Sequence, residues 1–143
     1  MRIVMDTNLL VSAVISAGLP RLLLSGAKTG AFELCISETL LAELLDVLTR
    51  DKFLSRLAQA GLTPAGIVAD IRKLAVLVTP VMVPPVVPTD PDDDHVLAAA
   101  LTGNVNLIAS GDKRDLLPLQ NYQGIDIVSA RVALARIGMN EKK

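Results

Sequence analysis

The chain has 143 residues, with 14 Lys and Arg against 15 Asp and Glu and a formal net charge of −1. That length predicts a single domain able to bury a full core, and the even charge balance excludes tight, charge-driven binding to duplex DNA. Two Phe, one Tyr and no Trp leave too few rings for a stacking platform under single strands.

Residues 2–5 read as a buried strand that runs into Asp6. Residues 9–16 read as a helical segment, with Leu9, Leu10, Ala13, Val14 and Ala17 at helical spacing. Gly18 and Pro20 punctuate a second short helix carrying Arg21 to Ala27. Residues 33–36 form a strand that contains the single cysteine, Cys35. A lone cysteine forms no internal disulfide, and among apolar neighbours it reads as a buried structural thiol in a protein of the reducing cytoplasm. Ser37 then caps a helix whose face carries Leu40, Leu41, Leu44, Leu45 and Leu48. Alternating strands and helices predict an α/β fold, a parallel sheet with helices on its faces.

Residues 51–60 read as a helix ended at Gly61, and Thr63-Pro64 as the cap and start of another that runs to Leu77. Five prolines between Pro80 and Pro91 limit Val81-Met82-Val83 to a short strand followed by an extended connection. Asp90-Pro91 fits an N-cap and first helical position for a helix over 91–102. Strand 106–109, strand 125–128 and helix 129–137 complete one domain over residues 1–139, and residues 140–143 are a polar tail. Asp6 and Asn8 interrupt the amino-terminal apolar stretch, which argues against a signal peptide, and no apolar run reaches the roughly 18 residues a membrane span needs. A soluble, cytoplasmic protein is expected. The 51% hydrophobic content hints at apolar surface shared between subunits, as in a homodimer or a complex with a partner protein.

The acidic residues cluster where apolar runs stop. Ile3-Val4-Met5 ends at Asp6, Leu107-Ile108-Ala109 passes through Ser110-Gly111 into Asp112, and Asp90-Pro91-Asp92-Asp93-Asp94 opens an alanine-rich helix. Carboxylates at the carboxyl ends of parallel strands converge on one rim, where they repel one another unless a hard cation joins them. Each element has a bland reading as well. Asp6 can be a helix N-cap, with Asn8 beside it to orient it or hold water. Acids in a first helical turn suit the helix dipole. The segment Ser110-Gly111-Asp112-Lys113-Arg114-Asp115 can be a solvated loop, or one whose Lys113 and Arg114 meet phosphates. Asp94 is distinctive because it shares a stripe with Leu97, Ala98 and Leu101, so it points toward apolar surroundings, whereas Asp92 and Asp93 read as supporting charges. His95, the only histidine, reads as packing or surface. Periodicity places Glu43 away from its helix's leucine face, exposed like Asp46.

Taken in order, Ile3-Val4-Met5-Asp6-Thr7-Asn8, Ser37 to Leu44, Asp90 to Asp94 with Val96 to Ala100, and Leu107 to Lys113 resemble the PIN domain family, particularly its prokaryotic toxin components of toxin–antitoxin modules. The resemblance covers essentially the whole chain. It implies a three-layer α/β/α sandwich with a central parallel sheet and an Mg²⁺- or Mn²⁺-dependent ribonuclease. It further implies an RNA substrate and a cognate antitoxin as partners. Position by position, it implies acidic ligands at Asp6, Glu43, Asp94 and Asp112, with polar support from Asn8, Asp92, Ser110 and Asp115. Glu43 enters on the family pattern alone. Such a site hydrolyses phosphodiesters because a divalent ion activates water and stabilises charge on the phosphoryl and departing oxygens. Two other readings stay open: a catalytically silent PIN-like module that binds RNA or protein, and a haloacid-dehalogenase-like phosphatase. The second lacks its usual second aspartate, since Asn8 stands there.

Overall fold

The computed structural model describes residues 1–81, 91–114 and 116–138, and for Pro91 and Asp92 the backbone alone. Its elements run β1 (Arg2–Met5), α1 (Thr7–Ile15), α2 (Leu19–Lys28), β2 (Glu33–Ser37), α3 (Glu38–Leu48), α4 (Asp51–Gln59), α5 (Pro64–Leu74) and β3 (Val76–Val78). After the proline-rich stretch come α6 (Pro91–Thr102), β4 (Leu107–Ala109), β5 (Asn121–Tyr122), β6 (Ile125–Val128) and α7 (Ala130–Arg136). No single helix among the described residues is long and apolar enough to cross a membrane.

The strands form one sheet in the order β3-β2-β1-β4-β6-β5. Every pairing is parallel except the β5–β6 hairpin. Successive strand residues face opposite sides of a sheet, so a strand buried at every position is covered on both faces. That holds for Ile3, Val4 and Met5, for Leu34, Cys35 and Ile36, and for Leu107, Ile108 and Ala109. The α/β sandwich follows from that continuous burial. The alanines of α6 allow close approach, and Ala98, Ala99 and Ala100 are buried where α6 packs on β1 and β2.

Local chemistry sets the helix ends. Ser37 accepts a hydrogen bond from the Leu40 N–H (3.2 Å) and caps α3, and Ser129 does the same for α7 through Val132 (3.3 Å). Thr63 caps α5 through Gly66, with Pro64 at its first position. α4 closes at Gly61, whose φ of 74° favours glycine, and the Leu62 N–H bonds back to the Leu57 carbonyl (2.8 Å).

The strand order places a topological switch at the centre. From β1 the chain moves outward through β2 to β3, then returns to place β4 on the other side of β1. The crevice beyond the carboxyl ends of β1 and β4 is where open α/β sheets bind ligands. Asp6 directly follows β1, and Ser110 directly follows β4.

Four expectations change. The helix expected to reach Leu77 stops at Leu74, because Ala75 turns extended (φ −88°, ψ 159°). Val76–Val78 then pair in parallel with Cys35–Ser37, β-branched residues being better matched to a pleated edge than to a helix. Of the short strand expected at Val81-Met82-Val83, Val81 is almost wholly exposed in a bend, and residues 82 and 83 lie outside the described residues. Leu45 leaves the α3 core face and is exposed, while Leu40, Leu41, Leu44 and Leu48 are fully buried. The two-residue strand β5 was not anticipated; Gly124 (φ 87°) and Gln123 (φ 50°) make the tight turn that pairs it with β6. Asp90, the expected cap of α6, and the tail 140–143 lie outside the described residues. Cys35 is free and fully buried, and burial raises its thiol pKa, as a structural role requires.

Candidate active site

Asp6 is fixed first by its backbone. Its N–H donates to the Ala109 carbonyl (3.0 Å), extending the β1–β4 ladder by one residue. Its extended conformation (φ −69°, ψ 164°) then lets the side chain turn back over α1, where Oδ1 accepts from the Leu9 N–H (2.8 Å). The capping role read from the sequence is therefore real. It uses one carboxylate oxygen and leaves the other to face β4.

That second oxygen, Oδ2, accepts a hydrogen bond from the Ser110 hydroxyl. Ser110 is itself held by the sheet, its N–H donating to the Val128 carbonyl (2.9 Å). Its Oγ in turn accepts from the Asp112 N–H (2.9 Å). The Asp112 carboxylate curls onto its own loop, accepting from the Arg114 N–H (3.0 Å). Ser110 is thus the joint between the two acids: it donates to one and accepts from the backbone of the other, and its burial shields the bond to Asp6 from water.

Asp6 is 3% exposed. Burial raises its carboxyl pKa above the ordinary 3.8; hydrogen bonds from Ser110, Leu9 and Gly111 pull the other way, and the Asp112 charge adds to the rise. A buried carboxylate beside a second carboxylate is a site that gains from a positive charge. The donors available are carboxylate and hydroxyl oxygens, which fit a hard divalent cation such as Mg²⁺ or Mn²⁺ and not zinc. Among the described residues, no group of three or more His, Cys, Asp or Glu side chains could hold a metal ion together. What the structure does assemble is the pair Asp6 and Asp112 with Ser110 between them.

The other residues singled out by the sequence divide. Asp94 is buried at the start of α6 on the stripe it shares with Leu97, Ala98 and Leu101, as its spacing required. Asp93, read as a supporting charge, is buried as well. Glu43 is half-buried and engaged with neighbouring groups rather than exposed; α3 packs on both α5 and α6, which narrows its solvent-facing side. Asp46 is exposed and faces Arg50 (3.6 Å). Asn8 is exposed and holds none of the Asp6 hydrogen bonds, which come from Ser110, Leu9 and Gly111. Lys113 and Arg114 are exposed at the rim, and His95 is half-buried. Asp115 and the side chain of Asp92 lie outside the described residues.

Thr7 was missed. Its hydroxyl is buried directly after Asp6 and has no hydrogen-bond partner among the described residues. Its position between Asp6 and Asn8 was the only available signal, and periodicity offered none.

A parallel sheet covered on both faces, with a desolvated aspartate at its switch point and a second acid whose backbone N–H bonds the same serine, defines an α/β domain with an acidic rim at the carboxyl ends of β1 and β4. The PIN domain family model matches residues 2–114, a span that includes Asp6, Glu43, Asp94, Ser110 and Asp112. The chain belongs to the PIN domain family, whose members are generally nucleases that use divalent metal ions. No curated protein and no solved structure matches the chain.

Proposed function

We propose that this protein is a divalent-metal-dependent endoribonuclease and the toxin of a toxin–antitoxin pair. The observation that carries the nuclease reading is the Asp6–Ser110–Asp112 arrangement at the β1–β4 switch point. Asp6 and Asp94 would hold Mg²⁺ or Mn²⁺, with Asp112 and Glu43 reaching it through water, and a bound ion would activate water and offset charge on the phosphoryl oxygens. Asp6 supplies a buried carboxylate whose orientation is set by three donors, so little reorganisation is needed when substrate arrives. Ser110 keeps Asp6 and Asp112 at a fixed separation. Lys113 and Arg114, exposed beside Asp112, meet the phosphates flanking the scissile bond. Asn8 would order water near the acids, and the family pattern implies a supporting role for Asp92 and Asp115 as well.

The near-zero net charge supports recognition at a local site over general affinity for nucleic acid. Much of the RNA specificity then belongs to the surface around the rim and to a homodimer that would extend it. A cognate antitoxin protein would occupy the same rim or a neighbouring face, in the cytoplasm.

The test is cleavage of a structured RNA and of an unstructured oligoribonucleotide by the purified chain, with Mg²⁺ or Mn²⁺ and with chelator. Metal-stimulated cleavage that disappears in Asp6→Asn, with circular dichroism unchanged, is the expected result. Cleavage indifferent to chelator, or retained in Asp6→Asn, would overturn the reading. Binding of divalent ion without turnover on either RNA would instead favour the catalytically silent PIN-like module.

A further inference from the structure

Between the first helical pair, α1 and α2, and the second, α4 and α5, lies a cavity of about 750 Å³. Its floor is apolar and fixed: Leu24, Leu57, Ile67 and Ile71 line it, and all four are buried members of the core. Its rim is cationic, with Arg21 and Lys28 from α2 and Arg56 from α4. Asp70 is the single acid among the lining residues, leaving two positive charges in excess.

The cations are organised. The Arg21 guanidinium donates to the carbonyls of Ala13 (3.1 Å) and Val14 (2.9 Å), and Arg56 donates to the next carbonyl, Ile15 (3.2 Å). Bonds to three consecutive carbonyls place both guanidinium groups at the last turn of α1. Lys28 lies seven residues beyond Arg21, on the same face of α2. None of the three forms an ion pair among the described residues, whereas Arg2, Arg50, Arg72 and Arg136 each face a carboxylate. Each guanidinium keeps N–H groups beyond those already donated. Like charges held together over an apolar floor repel one another, and an anion relieves that repulsion.

We infer that this cavity is a ligand site for a small amphipathic anion, an acyl carboxylate with an apolar body, whose chain lies on Leu24, Leu57, Ile67 and Ile71 and whose head meets Arg21, Arg56 and Lys28. Its volume lies in the range of roughly 300 to 1,000 Å³ usual for small-molecule sites. Guanidinium groups at one helix end suit a planar carboxylate. An RNA phosphate would meet the cations and leave the apolar floor unfilled, and no aromatic ring lines the cavity for a base to stack on. This site lies apart from Asp6, Ser110 and Asp112, none of which lines it.

The probes are dodecanoate and its neutral counterpart methyl dodecanoate, each titrated calorimetrically into the full chain below its critical aggregation concentration. Dodecanoate is expected to bind one per chain, about tenfold more tightly than the ester, and to raise the unfolding temperature. Two substitutions at exposed positions test the placement without touching the buried floor. Lys28→Gln removes a rim cation and Leu62→Glu puts a negative charge among the lining residues, Leu62 being 43% exposed. Each is expected to weaken dodecanoate binding several-fold while ester binding changes little and circular dichroism is unaltered. Equal affinity for acid and ester, absence of binding, or binding unchanged in both variants would overturn the proposal. So would displacement of dodecanoate by an acidic amphipathic helical peptide that binds more tightly, since the surface would then serve a protein partner. RNA cleavage is measured separately, so failure here leaves the nuclease reading standing.

Discussion

The two ends of α1 meet charges of opposite sign, and the physical consequences differ. At the amino end Asp6 caps the helix through Leu9; at the carboxyl end Arg21 and Arg56 bond the last carbonyls. Both arrangements suit the helix dipole, so capping explains the sign of the charge at each end. What separates them is water. Arg21 and Arg56 are exposed, and their bonds to α1 could be replaced by solvent at small cost. Asp6 is buried, its carboxyl pKa is raised by desolvation, and a second acid sits beside it. A cap alone does not require burial or a neighbouring like charge. At the amino end, desolvation and a neighbouring acid therefore go beyond what capping needs; at the carboxyl end, what goes beyond it is the apolar floor beneath the cations.

The largest expected effect breaks this comparison at Asp6. Asparagine caps helices about as well as aspartate, so Asp6→Asn should leave the urea midpoint near or above that of the wild type while RNA cleavage falls by about a hundredfold or more. Asp6→Ala should lose both, with about 1 kcal/mol of stability gone along with the cap. Comparable activity losses with no stability difference between the two variants would mean that the cap contributes nothing.

Ser110→Ala comes next. It leaves the buried Asp6 Oδ2 without its hydroxyl donor and the partly buried Asp112 N–H without its acceptor. A stability loss of about 1 to 3 kcal/mol is expected from denaturant unfolding. Cleavage should fall by about tenfold, because the acids remain but their spacing is no longer held. Ser110→Thr, which retains the hydroxyl, should recover a substantial part of both.

A smaller effect is pH-dependent and appears only in chelator. Because the folded pKa of Asp6 lies above 3.8, folding favours its protonated form. The stability this brings is complete below the unfolded value and is lost as pH rises through the folded one. Urea unfolding from about pH 4 to about pH 8 should show that loss in the wild type and not in Asp6→Asn. Divalent ion should remove the difference, by binding the ionised form.

The smallest expected effect lies at the other end of the helix. Arg56→Gln should change stability by less than about 1 kcal/mol, since an exposed cation at a helix carboxyl end contributes at most that much. Added salt should shrink even this difference. An effect as large as that of Ser110→Ala would show that burial is not what distinguishes the two ends.

Much of the architecture was legible because it depends on short-range pattern. The continuous apolar runs at 3–5 and 34–36, the Ser37 and Thr63-Pro64 caps, and the Leu40, Leu41, Leu44 and Leu48 stripe are each decided within about ten residues. The placement of Asp94 was legible for the same reason. Misreadings arose where two local patterns competed. Leu74 to Val78 is apolar throughout, so period alone could not separate the end of α5 from the start of β3. Pairing with β2 decided it.

By itself the sequence determined that acids follow the ends of β1 and β4 and that one helix opens with a run of them, since chain order suffices to state both. It could not determine that Ser110 joins Asp6 to Asp112, because residues 6 and 110 meet only when β4 pairs beside β1. Nor could it determine that Glu43 and Asp93 withdraw from solvent, or that Arg21 and Arg56 meet over one helix end. Those facts depend on which elements pack together, and desolvation and like-charge proximity are properties of that packing and of no single segment.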